Sequence, residues 1–97
     1  MDYENLPRYI EDYTPEQVEK VIAFHAKLSM KELWRRMALN REQIMMGREQ
    51  LSRMNEGDPA RDRLERALRD IDHRQAVIMA AQDRKEAAAE KRKARKR

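Results

Sequence analysis

The chain has no cysteine, only two glycines and three prolines, and 5% aromatic residues, and each scarcity closes off a class of protein. Without cysteine there is no disulfide, no thiolate metal site and no cysteine nucleophile, while a reducing compartment is allowed. No glycine-rich turn precedes any helix-forming stretch, which removes the usual phosphate cradle. No apolar run approaches the roughly 20 residues that span a bilayer, and the acidic N-terminus does not resemble a secretory signal. The expectation is a cytoplasmic protein without a membrane partner.

Catalytic chemistry is equally thin. Only His25, His73, Ser29, Ser52 and scattered carboxylates are on offer, and none forms a recognisable nucleophile and base arrangement. Asp70 and His73, at spacing three, can share a helix face. Two potential ligands without further partners are a weak metal signal, and a solvated histidine among charges is the simpler reading. His25 falls on an apolar stripe and reads as a packing residue with its polar tip bonded. The sequence predicts no enzyme, no catalytic residue, no metal, no cofactor and no small-molecule substrate.

What the chain does have is charge and helix formers. With 97 residues, 41% charged against 40% hydrophobic, it makes one domain whose core is a narrow seam. Ala, Glu, Lys, Arg, Gln, Met and Leu dominate, the residues that lose least on entering a helix. The net charge of +4 is unevenly spread: residues 1–19 hold six acids against Arg8, whereas the last seven hold six cations. The high isoelectric point therefore reports mostly a tail.

Three segments follow: an acidic irregular arm over 1–13, a helical domain over 14–90 and a basic tail over 91–97. The arm contains Tyr3, Leu6, Tyr9, Ile10 and Tyr13, free either to pack on the helices or to dock on a partner. Thr14, Pro15 and Gln17 read as a capping box with proline in the first turn, opening a helix over about 15–28. Its apolar stripe is Val18, Val21, Ile22, His25 and Leu28. Ser29 and Glu32 signal a second start, or a bend, and from Met30 a heptad register holds to Met54: Met30, Met37, Ile44 and Leu51 at one seam position, Leu33, Asn40, Gly47 and Met54 at the other. Asn55 to Pro59 is the sharpest break, with Gly57 suited to a left-handed helix end and Asp58 and Pro59 to a new start. Leu64, Leu68, Ile71, Gln75, Ile78 and Gln82 continue the pattern in the returning helix.

Folding the seams together about Gly57 pairs Leu51 with Leu64, Gly47 with Leu68, Ile44 with Ile71, Asn40 with Gln75, and Met37 with Ile78. A glycine then faces a large leucine, and an amide faces an amide. The predicted fold is all-α: a long antiparallel helical hairpin, about 30–56 and 59–90, with a shorter N-terminal helix, as a three-helix bundle or a dimeric helical bundle. Acid-first pairs at spacing four, Glu32 with Arg36, Glu49 with Arg53, Asp62 with Arg66, Glu65 with Arg69 and Asp70 with Arg74, mark solvated faces.

Trp34, Ala38, Met45, Met46, Ala76, Val77, Met79 and Ala80 stay outside the seam. They suit a homodimer face, a face for another protein, or the wider stripe of a three-helix bundle. Methionine adapts to irregular partners, so Trp34, Met45, Met46, Val77 and Met79 are the expected protein contacts of an adaptor, inhibitor or assembly protein. The alternative is a nucleic-acid-binding regulator. Lys91, Arg92, Lys93, Arg95, Lys96 and Arg97 would gather a polyanion by counterion release, or serve only as a solubilising end, and the acidic residues 1–19 would fold over this tail and compete. In addition, LSMKELWRRMALNREQI over 28–44 resembles a helix-turn-helix unit, with Ala38 to Asn40 as the turn. That resemblance implies Arg41, Gln43 and Arg48 on the groove-facing helix. The unbroken heptad predicts one continuous helix over the same residues.

Overall fold

In the computed structural model, which describes residues 6–95, three α-helices and one short 3-10 turn account for the ordered backbone, with no strand among the described residues. The helices are α1 (Pro15–Ala26), α2 (Met30–Ser52) and α3 (Pro59–Arg95); the 3-10 turn is Ile10–Asp12. Alone, α3 is about 55 Å long at 1.5 Å per residue, and the molecule measures 61 × 28 × 16 Å. Its radius of gyration of 16.7 Å exceeds the roughly 13 Å of a compact chain of this size, the signature of a rod.

Each helix begins where its capping chemistry directs. Thr14 Oγ1 accepts from Gln17 N–H at 3.1 Å while Gln17 Oε1 accepts from Thr14 N–H at 2.9 Å, the reciprocal capping box. Ser29 Oγ accepts from Glu32 N–H at 3.1 Å, so α1 and α2 are separate helices joined by Lys27–Ser29. Asp58 Oδ1 accepts from Ala60 N–H at 2.9 Å and opens α3. Gly57 departs from expectation: no glycine has positive φ. The Arg53 and Met54 amides return to Gln50 O and Leu51 O, each at 3.1 Å, and Arg61 reaches back from α3, its Nη1 donating to Leu51 O at 3.4 Å and to Met54 O, just past the helix, at 3.1 Å. The chain leaves α2 at Ser52, earlier than the expected 56, without a left-handed residue.

The seam forms in the anticipated register. Asn40 Nδ2 donates to Gln75 Oε1 at 3.0 Å, and Gln75 Nε2 donates to Met37 O at 3.3 Å. Gly47 is buried against Leu68, where a β-carbon would overlap Leu68 Cδ2 and stand 3.3 Å from its Cγ. Leu33, Ile44, Leu68 and Ile78 are 0–9% exposed.

A second, shorter core lies on another side of α3. Ile10, Val18 and Ile22 line a hollow with Ala76 and Val77, and Ile10, Tyr13, Val21 and His25 line another with Val77 and Ile78. α3 is thus the central element, carrying α2 on one face and the arm with α1 on another. The arm packs on the bundle over residues 9–13; Tyr3 lies outside the described residues. His25 is a packing residue with its tip bonded, as expected: Nδ1 donates to Val21 O at 2.8 Å, leaving Nε2 to face Arg36 Nη1 at 3.5 Å.

Two anchors hold the arm. Asp70 is 8% exposed, and its Oδ1 accepts from Ile10 N–H at 2.8 Å while its Oδ2 pairs with Arg74 at 2.7 Å. Arg66 pairs with Glu11 and Asp12, each at 2.8 Å, and its guanidinium lies 4.1 Å from the Tyr9 ring centroid. This accounts for the fate of the spacing-four pairs. Glu32–Arg36, Glu49–Arg53 and Asp70–Arg74 form, whereas Arg66 turns from Asp62 to the arm, Arg69 lies 3.5 Å from Glu11, and Glu65 pairs with Arg61.

Candidate functional site

Four of the five expected contact residues are large apolar side chains in the open: Trp34 is 57% exposed, Met45 72%, Met46 64% and Met79 54%. The fifth, Val77, is only 5% exposed and belongs to the core beneath the arm and α1. The reason is periodicity. At about 100° per residue, positions 77 and 79 lie on nearly opposite sides of a helix. Val77 faces α1, so Met79 faces away from it.

The same geometry arranges α2. Arg36 looks toward His25 of α1, and Trp34 and Met45 stand roughly half a turn around the helix from it. Trp34, Met45 and Met79 therefore share the side of the hairpin that α1 leaves uncovered. Met46 is set around the outer edge of α2, where Ala38, Arg41, Glu42, Met45, Met46 and Glu49 line one shallow open groove. Leu39, 45% exposed, extends this apolar area and was not among the expected contacts. Leu39 stands at neither core position of the heptad register, and that was the signal in the sequence for its exposure.

The helix-turn-helix expectation is overturned. α2 runs without interruption from Met30 to Ser52, so residues 38–40 are helical and the three-residue turn is absent. Arg41, Gln43 and Arg48 are exposed on that one helix, with Gln43 nearly opposite Arg41 around its axis. They form no recognition helix.

Over its described residues the basic end continues α3 to Arg95. Lys91, Arg92, Lys93 and Arg95 are helical, exposed, and in no ion pair among the described residues; Lys96 and Arg97 lie outside them. Lys85 Nζ donates to Ala26 O at 3.3 Å, placing a cation at the negative pole of α1 close to where α2 begins. The ten residues of α3 beyond it, 86–95, are all exposed, and Glu86, Ala88, Ala89 and Arg92 line an open hollow with Ala26 and Met30.

The described acids of the N-terminal zone are engaged elsewhere, and Asp2 and Glu4 lie outside the described residues. Glu11 and Asp12 sit on Arg66, and Glu19 sits on Arg84 at 2.7 Å, all within the bundled part of α3. The Arg66 hydrogen bond, opposed by partial desolvation and aided by Arg69, holds the Glu11 carboxyl below the usual carboxylate range. Arg84 does the same to Glu19. Hydrogen bonds from Arg35 and then Arg36 bring Glu32 down to about 2.

Asp70 and His73 are not brought together as a site. Asp70 is committed to Ile10 and Arg74, and His73 is exposed beside the α1 contact. Among the described residues no group of three or more His, Asp or Glu is placed to hold a metal, and no helix is long and apolar enough to cross a membrane. Comparison of the chain with protein-family models, with curated proteins and with solved structures finds no match.

Proposed function

We propose that this protein is a non-enzymatic interaction or assembly protein that uses the Trp34, Met45, Met46 and Met79 side of its hairpin to bind another protein or a second copy of itself. One observation carries the reading: those four side chains are 54–72% exposed beside a seam that is 0–9% exposed. Isolated apolar residues are ordinary on protein surfaces, but a Trp and three Met on adjoining faces of two packed helices form a patch of the kind that partners cover. Methionine lowers the demand for a rigid, matched surface.

Trp34 is the chain's one tryptophan, so its fluorescence reports directly on this face. Sedimentation over a concentration series, with Trp34 emission followed in parallel, tests self-association; titration with a candidate partner tests capture. The expected result is a blue shift of Trp34 on association, with loss of association in Trp34→Ala and Met46→Asp. Unchanged oligomeric state and unchanged partner capture in both variants refute the face.

A second reading, favoured by the exposed cations in the last turns of α3, is a regulator that binds nucleic acid through its basic end. Lys91, Arg92, Lys93 and Arg95 are exposed on the last turns of α3. A helix end of this charge attracts phosphates without reading sequence.

A further inference from the structure

The side of the hairpin that α1 leaves uncovered is divided by charge. At about 100° per residue, an arc of about 60° on this flank of α2 holds Met30, Trp34, Arg41, Met45, Arg48 and Ser52, with no acid. Over residues 62–85 the matching arc of α3 holds Glu65, Asp72, Ala76, Met79 and Asp83, with no cation. The nearest cations of α3 are turned elsewhere or stand outside that stretch. Arg69, at the edge of the arc, lies 3.5 Å from Glu11, and Arg61 reaches Glu65 and the end of α2. Lys93 stands past the level of Met30. Trp34, Met45 and Met79 are 54–72% exposed, and Arg41, Arg48, Asp72 and Asp83 are exposed and in no ion pair among the described residues.

The seam sets these groups level with one another. Because Asn40 is bonded to Gln75 and Gly47 lies against Leu68, positions 34, 41 and 48 of α2 stand within about 3 Å, along the rod, of positions 79, 72 and 65 of α3. Each set steps by two turns and so stays on one side of its helix. Two copies laid face to face with a two-fold axis along the rod place each α2 over the partner's α3 at the same level. Trp34 then meets the partner's Met79, Arg41 the partner's Asp72, and Arg48 the partner's Glu65, every contact being made twice. A two-fold axis across the rod instead sets α2 on α2 and α3 on α3, cations on cations and acids on acids. Charge complementarity therefore selects the first arrangement. Two adjoining helices of the length of α2 present roughly 34 by 20 Å, or about 700 Å², close to the roughly 800 Å² that each partner gives to a standard interface.

We propose that the occupant of this face is a second copy of the chain, in a two-fold dimer with α2 of each copy on α3 of the other. This rests on the reading of the Trp34 side given above and commits that side to self-association. Full-length wild type is followed by sedimentation and Trp34 emission over a concentration series. Arg41→Glu, Asp72→Arg and an equimolar mixture of the two are followed in the same way, and Trp34→Ala by sedimentation, each variant checked for helicity.

Wild type dimerises with a blue shift of Trp34, and Trp34→Ala weakens the dimer. Either charge variant alone sets like charges against each other twice and self-associates on the order of tenfold more weakly. The mixture regains wild-type affinity, since both contacts between the two chains are then between unlike charges, and rescue on mixing cannot arise within one chain. A wild type that stays monomeric overturns the proposal; capture of a candidate partner that Trp34→Ala abolishes then leaves the reading above standing. A dimer weakened by Trp34→Ala but indifferent to both charge variants keeps the face and overturns the placing of α2 on α3. A dimer that none of the variants weakens lies elsewhere on the molecule and overturns the proposal outright.

Discussion

Replacing Gly47 with alanine destabilises the protein even though it removes a glycine from the middle of a helix. Helix propensity alone favours alanine by about 1 kcal/mol. Against that, the new β-carbon overlaps Leu68 Cδ2 and stands 3.3 Å from Cγ, and Leu68 is itself 9% exposed in the seam. Overpacking of a filled core costs typically about 1–3 kcal/mol, so the net loss is about 1 kcal/mol. For a domain of this size that lowers Tm by roughly 4–8 °C. Leu68→Ala costs about 2–4 kcal/mol in the wild type, since it opens a void facing a residue without a side chain. In the Gly47→Ala background the methyl enters that void, so the cost of Leu68→Ala falls by about 1 kcal/mol or more. Thermal and denaturant unfolding by circular dichroism, run as a double-mutant cycle, measures this coupling. A Tm raised by Gly47→Ala, or an additive cycle, refutes the close approach of α2 and α3 at this point.

Gly57 responds in the opposite way: nothing lies within 4 Å of its β-carbon position and its φ is not positive, so Gly57→Ala is neutral or stabilises by up to about 1 kcal/mol, read from the same unfolding curves. Asn40→Leu removes the donor to Gln75 Oε1 and costs about 1 kcal/mol; Asn40→Leu/Gln75→Leu recovers that loss but broadens the native ensemble, seen as loss of dispersion in amide NMR spectra. Asp70→Ala frees the Ile10 amide and Arg74, costs about 2–3 kcal/mol, and hastens proteolytic cleavage around residues 9–13 relative to the α2–α3 turn; equal protection of both sites in the variant counts against Asp70 as the anchor. The arginine-bonded Glu32 is lowered from 4.5 to about 2, so its stabilising effect is whole above the unfolded value and is lost as pH falls from 4.5 toward 2. Glu32→Gln then narrows the difference in Tm between pH 5 and pH 2, whereas an identical pH profile in the variant contradicts this assignment.

Much of the fold was legible because local chemistry and helical period carry it. Thr14 with Gln17, Ser29 with Glu32, and Asp58 before Pro59 are signals confined to a few residues, and each opens its helix as read. The hairpin register was legible for a different reason: two irregularities, Gly47 opposite Leu68 and Asn40 opposite Gln75, agree with one alignment of the seams. The proposed contact face was legible only in part. Trp34, Met45, Met46 and Met79 are exposed, but Val77, two residues from Met79, points to the other side of α3 and is covered. A list of apolar residues outside one seam cannot separate a free face from a second seam.

The sequence by itself determined the helices, their starts and the pairing of α2 with α3, since caps act within a turn and a short connection forces antiparallel neighbours. Only the tertiary structure decided what α1 and the acidic arm do. Their contacts with α3 join residues about 60 apart, Ile10 to Asp70, Glu11 to Arg66 and Glu19 to Arg84, and no periodicity links such positions. The same holds for Arg61 reaching back to Leu51 O and Met54 O. A long flexible cation has many carboxylates and carbonyls within reach, and its choice among them is fixed only when the helices have taken their places.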